Sequence, residues 1–278
     1  MKLARRTFTI LGLAAAAGAA VTALKVDAKS KEAETRFPPL GKFVEVAGAR
    51  IHYTQDGTGP DVVLLHGAGG NLREFTFDLA GRLSEGFRVT TFDRPGMGYS
   101  DDVPGLDNGT LSTQGASPVE QARLLRRASA ELGLRAPIVG GHSFGGVVAM
   151  AWALAALDQP DAPENAGAVV SLAGVSMPWP GELGWYYRVN GTAFGGALTI
   201  PFISAFASEE RINTAIDAIF APQDVPEGYA AYVGGHLTLR PDQFRANVRQ
   251  VNTLRPHVVE MAKRYPDLRL PIEILHGD

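Results

Sequence analysis

The sequence predicts an α/β fold, a mostly parallel sheet with helices on both faces, interrupted late in the chain by an inserted helical cap. Three observations predict it. Continuously apolar runs such as "DVVLL" at 61–65 and "AVVSL" at 168–172 lack the polar alternation of a half-exposed strand, as expected where both faces of a sheet are covered. These runs alternate with helical stretches, an order that implies parallel strands joined by right-handed crossovers. From about Val175 to Asp267 the alternation stops, and a connection of roughly 90 residues exceeds an ordinary loop.

Each element follows in order. Residues 1–30 open with Lys2, Arg5 and Arg6 and continue as an uncharged, Ala-rich stretch from Thr7 to Leu24. This layout reads as an export signal peptide or an N-terminal membrane anchor, in either case outside the fold. Arg5-Arg6 followed by Phe8 resembles a twin-arginine signal, and Val26-Asp27-Ala28 offers a cleavage site for a periplasmic product. Residues 31–41, charged and then Pro-rich, read as a linker. "KFVEVAG" and "ARIHYTQDG" alternate apolar and polar residues around a glycine, the pattern of a hairpin. After the strand "DVVLLHG", the spacing of Leu72, Phe75, Leu79 and Leu83 predicts one helix, and "FRVTTFD" returns to strand. A helix over Pro118–Leu132, the strand "APIVGG", a helix over Ser143–Leu157 and the strand "AGAVVSLAG" follow. The core is thus expected over 42–174 and 268–278, with the cap over 175–267. The cap holds Trp179, Trp185, Tyr186, Tyr187, Phe194, Phe202, Phe206, Phe220, Tyr229, Tyr232 and Phe244. Most of these are expected to form its own small core, with two or three lining a pocket.

The chain has 278 residues, a formal charge of −3 and no cysteine, which excludes disulfides, thiolate chemistry and cysteine metal sites. Residues 1–36 carry +4, leaving −7 for the rest. An acidic body of that kind argues against nucleic acid as a partner.

Gly141-His142-Ser143-Phe144-Gly145 matches G-x-S-x-G between an apolar strand and a helix, the context that motif requires. Such a turn lifts a serine hydroxyl clear of the sheet and points a helix N-terminus at it. A glycine-rich turn without catalysis is the plain alternative. His66-Gly67-Ala68-Gly69-Gly70 ends the earlier strand. Acyl transfer through a serine builds an oxyanion, and two backbone N–H groups aimed at it contribute about 3 kcal/mol each. Ala68 N–H and Phe144 N–H are the natural pair. "HGAGG" lacks the Lys-Ser/Thr of a phosphate loop and the spacing of a dinucleotide fingerprint.

Taken together, "VVLLHGAGGN", "TFDRPGMGYSD", "GHSFGG" and "LPIEILHGD" resemble, in order and spacing, the α/β-hydrolase family, specifically its esterase-like members with a helical cap. The resemblance covers about residues 42 to 278 and gives Asp93, Arg94, Gly96 and Gly98 structural roles in the turn after the fourth strand. It makes Ser143 the nucleophile, and a serine there disfavours epoxide hydrolase and haloalkane dehalogenase activity, which use an aspartate. No metal or organic cofactor is implied.

The resemblance also places a catalytic acid three residues after Gly277 and a histidine beyond one further strand. Position 280 lies outside the sequence, and Asp278 falls two residues early. His52, His66, His142 and His276 sit in strands or motifs, and His236 and His257 in the cap; none is placed like the family's base. The acid and histidine, with the final strand and helix, are therefore expected to be absent from these 278 residues, leaving them inactive alone. The expected function is that of a serine hydrolase acting on a small or medium, largely apolar ester through an acyl-enzyme. Lactone hydrolysis, carbon–carbon bond hydrolysis and acyl transfer use the same machinery, and a non-catalytic ligand-binding protein on this scaffold is the rival from another class.

Overall fold

The computed structural model describes residues 2–277, with side chains from residue 12 onward. The side chains of Arg5, Arg6 and Phe8, and all of Asp278, lie outside the described residues. Seven strands form one sheet in the order β1-β2-β4-β3-β5-β6-β7. They are β1 (Lys42–Val46), β2 (Ala49–Asp56), β3 (Asp61–Leu65), β4 (Arg88–Phe92), β5 (Ile138–His142), β6 (Ala168–Leu172) and β7 (Ile272–Leu275). β1, β2 and β4 pair antiparallel, while β4, β3, β5, β6 and β7 are parallel. The predicted fold class and the predicted strand segments are therefore found.

Alternation within β3 sets the two layers. Val63 and Leu65 enter the larger core, against α4 (Pro118–Glu131) and α5 (Phe144–Asp158). Val62 and Leu64 face Phe75, Ala80 and Val89 on the other side. The helix predicted across 71–83 is two short ones, α2 (Arg73–Thr76) and α3 (Leu79–Leu83). The break falls where the Thr76 hydroxyl is held by Tyr232 at 3.0 Å. Helix α4 starts at Ser117, whose side chain accepts from Glu120 N–H at 3.2 Å while its own N–H donates to the Glu120 carboxylate at 2.8 Å. Such a reciprocal cap followed by proline is a strong start signal. α5 is buried on every side from Phe144 to Leu154, as a helix between sheet and second layer must be.

Between β6 and β7 the chain is helical: α6 (Trp185–Asn190), α7 (Ala193–Phe206), α8 (Glu209–Phe220), α9 (Tyr229–Tyr232), α10 (Gly235–Thr238), α11 (Pro241–Ala262) and a short 3₁₀ turn. α11 lies wholly within the expected cap but packs with two clusters. Its Phe244 and Val248 pack with Ile200, but Leu254, Val258 and Met261 belong to the main core beneath the sheet.

The N-terminal segment departs from expectation. A single helix, α1 (Lys2–Arg36), runs through most of the supposed linker. Lys31–Asp27 and Lys29–Glu32 pairs at one-turn spacing favour helix over coil there, and Pro38-Pro39 follow its end. Ala33 and Phe37 are buried with Leu237, and Glu34 meets Arg240 at 2.8 Å. The end of α1 is therefore part of the packed structure. Among the described residues no helix is long and apolar enough to cross a membrane; the side chains of the apolar stretch from Thr7 to Leu24 lie partly outside them.

Candidate active site

Strand register brings the motifs together before any side chain is considered. Leu65 pairs with Phe92 on one side and with Gly141 on the other. The residues that follow these three, His66, Asp93 and His142, therefore occupy one rung at the carboxyl edge of the sheet, where ligands of open α/β sheets bind.

Ser143 has φ 49° and ψ −114°, a conformation that costs a non-glycine residue about 1–3 kcal/mol and persists where surroundings impose it. Its N–H donates to Leu172 O at 2.9 Å and its carbonyl accepts from Gly146 N–H at 3.0 Å. Gly145 makes the turn feasible, since a Cβ there would meet the carbonyl oxygens of Leu65 and His66. Only a glycine lets the first turn of α5 sit that close to the end of β3. The 66–70 loop touches Ser143: a Cβ on Gly67 would lie 3.4 Å from Ser143 Cβ.

The loop's amides are almost all engaged. Gly67 N–H donates to Glu74 Oε2 at 3.2 Å, Gly69 N–H to Asn247 Oδ1 at 2.7 Å, and Gly70 N–H to Gly67 O at 3.3 Å. Ala68 N–H has no acceptor among the described residues. Phe144 opens α5, so its N–H is one of the helix-start donors without an intrahelical partner. Ala68 N–H and Phe144 N–H, named from sequence as an oxyanion pair, are both near Ser143 in the chain or the loop that touches it.

Arg94 holds this loop from beneath. It is fully buried, and donates through Nε to His66 O at 2.8 Å, through Nη2 to Gly67 O at 2.9 Å, and through Nη1 to Gln121 Oε1 at 2.8 Å and Gln250 Oε1 at 3.0 Å. Its guanidinium lies 4.5 Å from the Phe144 ring centre. Burial pushes its pKa down to about 9, against the pull of Glu74 and Asp93.

His66 accepts from Arg94 N–H at Nε2, 3.0 Å, which assigns the ring proton to Nδ1, facing Gly67 O at 2.9 Å. Burial first, and the Arg94 charge second, push its pKa down to about 4. A histidine depressed in this way is neutral in the fold but takes a proton in the unfolded chain below its ordinary value of 6.5. Its contribution to stability is intact above that value and is lost as pH falls toward 4, amounting to about 3 kcal/mol. Urea unfolding free energies at pH 7, 6 and 5 should fall more steeply for the wild type than for His66→Gln; parallel profiles would show that His66 is not the group responsible.

Sequence reasoning missed Glu74. One carboxylate oxygen takes Gly67 N–H, and the other meets His142 Nδ1 at 2.6 Å. The hydrogen bond to Glu74 raises the His142 pKa, partly opposed by burial. Glu74 thereby ties the 66–70 loop to the residue preceding Ser143. Its only sequence signal is an acidic residue in the first turn after a glycine loop, a pattern common to helix starts.

Of the other four histidines, three have partners elsewhere among the described residues. His52 pairs with Asp93 at 2.7 Å, and Asp93 also accepts from Leu72 and Tyr99 N–H, the structural role expected of it. His236 meets Glu209 at 2.8 Å, and His276 Nδ1 lies 3.1 Å from Gly277 O. No histidine among the described residues bonds the Ser143 hydroxyl. A cleft of about 600 Å³ lies between the 96–108 loop and the start of α11. It is lined by Asp101, Asp102, Arg245 and Arg249 rather than by Ser143.

Comparison with known proteins agrees with this arrangement. A family profile described as the alpha/beta hydrolase family matches residues 62–276. The dihydrolipoyllysine-residue acetyltransferase component of the acetoin cleaving system of Cupriavidus necator is 33% identical over 181 residues, covering 65% of this chain and 40% of that protein. The chain thus spans less than half the length of that relative. The 2-hydroxy-6-oxononadienedioate/2-hydroxy-6-oxononatrienedioate hydrolase of Paraburkholderia phymatum is 28% identical over 222 residues, 74% of this chain and 71% of its own length. Among solved structures, an esterase from Exiguobacterium antarcticum superposes with a TM-score of 0.61 at 19% identity, over 86% of this chain and 81% of that one. Such a likeness speaks for the fold alone. With the profile matching from β3 to the end of β7, the chain belongs to the alpha/beta hydrolase family.

Proposed function

We propose that the protein is a serine hydrolase that cleaves small or medium, largely apolar carboxylic esters through an acyl-enzyme. The observation that carries this reading is Ser143, held at φ 49° on the turn between β5 and α5, beside an Ala68 N–H left without an acceptor among the described residues. Ser143 Oγ attacks the acyl carbon, and its proton passes to a base. Ala68 and Phe144 N–H hold the oxyanion, the alkoxide leaves with that proton, and water releases the acid. Among the described residues no histidine bonds the Ser143 hydroxyl, and His52, His66, His142 and His236 serve other partners. Residues 1–278 alone therefore turn over esters no faster than the Ser143→Ala variant.

The test is hydrolysis of a p-nitrophenyl acyl ester series by the protein expressed from the whole reading frame that contains these residues. Turnover that requires Ser143 supports the reading. Absence of turnover, or turnover indifferent to Ser143→Ala, leaves a ligand-binding protein on this scaffold.

Within the same reading Glu74 is a positioning residue. Glu74→Gln keeps the size of the side chain but cannot satisfy two donors with equivalent oxygens. We expect kcat to drop by about 10- to 100-fold with KM nearly unchanged, the pattern of a contact felt in the transition state. An unchanged kcat would mean that the loop holds its shape without Glu74.

A further inference from the structure

We propose that α7 and α1 together form a docking face for an anionic phospholipid bilayer, with α7 lying in the plane of the headgroups. The proposal does not depend on Ser143. Phe194, Leu198, Phe202 and Phe206 recur every four residues on α7 and are 75%, 75%, 60% and 42% exposed. Gly196, Ile200 and Ser204, at the same spacing, are the buried side. A single exposed leucine is ordinary. Four large apolar residues in a line are not, and the adjoining α6 exposes a further one, Trp185, at 76%. No charged residue interrupts α7.

The occupant is indicated by charge. α1 packs along α7, with Thr22, Val26 and Ser30 half-buried at four-residue spacing, and Lys25 Nζ stands 4.4 Å from the Phe206 ring centre. Leu13, Val21 and Leu24 of α1 are exposed. Residues 1–26 contain Lys2, Arg5, Arg6 and Lys25 and no carboxylate, in a chain whose net charge is −3. Positive charge thus gathers on the helix that flanks the apolar stripe. Aromatic and aliphatic side chains edged by lysine and arginine are the chemistry that binds the headgroup region of anionic membranes. A second copy seated face to face would instead bring two such basic segments together.

The experiment is vesicle co-sedimentation of the full chain, using phosphatidylcholine with and without phosphatidylglycerol. Wild-type protein is expected to bind the phosphatidylglycerol vesicles and to release as salt rises from about 0.1 to 0.5 M, because surface charge is screened. Leu198→Gln combined with Phe202→Gln should weaken binding by about 10-fold or more. In parallel, Phe202→Trp should gain a blue-shifted emission component on adding the anionic vesicles, which keeps the test alive if the double variant folds poorly. Three results overturn the proposal: unchanged binding by a folded double variant, no emission change at Trp in place of Phe202, or a wild-type dimer that the double variant converts to monomer without any vesicle binding.

Discussion

Replacing Ser143 with alanine is expected to lower ester turnover by about 10³-fold or more in the protein expressed from its whole reading frame, with little effect on stability. The asymmetry follows from the geometry. The hydroxyl has no hydrogen bond to a histidine among the described residues and Ser143 is only partly buried, so the fold loses no buried contact when it goes. The strained backbone at φ 49° remains, because it is imposed by the packing of Gly145 against Leu65 and His66 rather than by the serine. Chemistry, by contrast, loses the atom that forms the acyl bond, and the residual rate is what the oxyanion donors and binding supply alone. Steady-state hydrolysis together with thermal melting checks both halves. A variant that keeps a tenth of wild-type turnover would remove Ser143 as nucleophile, and one that unfolds would show that the hydroxyl has a structural partner.

How far the site was legible in the sequence depends on whether a residue's role is local. Ser143, Ala68 and Phe144 could be named because a strand, a sharp glycine turn and a helix start are consecutive in the chain, and the parallel register then aligns their strand ends. Glu74 could not, because its two partners, Gly67 and His142, come from separate strand ends and meet only in three dimensions. The same distinction separates elements. β3 and β5 read correctly as buried strands from apolar content alone. On α7 the apolar pattern was read as a cap core, yet periodicity fixes which residues share a face, not whether another element covers it. Ile200 is buried and Phe194, Leu198 and Phe202 are open for that reason. α11 was assigned wholly to the cap because its second half carries no strand pattern, whereas its Leu254, Val258 and Met261 complete the core under the sheet.

Arg94 carries the second large effect, and its sign is a contest of two terms. Its pKa, depressed from the ordinary arginine value to about 9, means that the folded environment disfavours the cation by about 5 kcal/mol. Arg94→Met would relieve that cost. It would also strip donors from four buried acceptors: His66 O, Gly67 O, Gln121 Oε1 and Gln250 Oε1. Gly67 O keeps Gly70 N–H and the His66 ring N–H, but the other three each cost about 1–3 kcal/mol when left unmet, a total of about 6 kcal/mol at the centre of that range. Loss of the contact with the Phe144 ring adds about 1 kcal/mol. The acceptors win, and the variant should be about 2 kcal/mol less stable, lowering Tm by roughly 6 °C in a chain of this size. Arg94→Lys should fare no better than Arg94→Met, because lysine keeps the desolvation cost of a buried amine while offering three donors on a single point in place of a planar fork. Calorimetry on the three proteins decides between the terms. A lysine variant as stable as wild type would mean that charge rather than fork geometry holds the 66–70 loop, and a methionine variant as stable as wild type would mean that water or backbone donors replace Arg94 at those carbonyls.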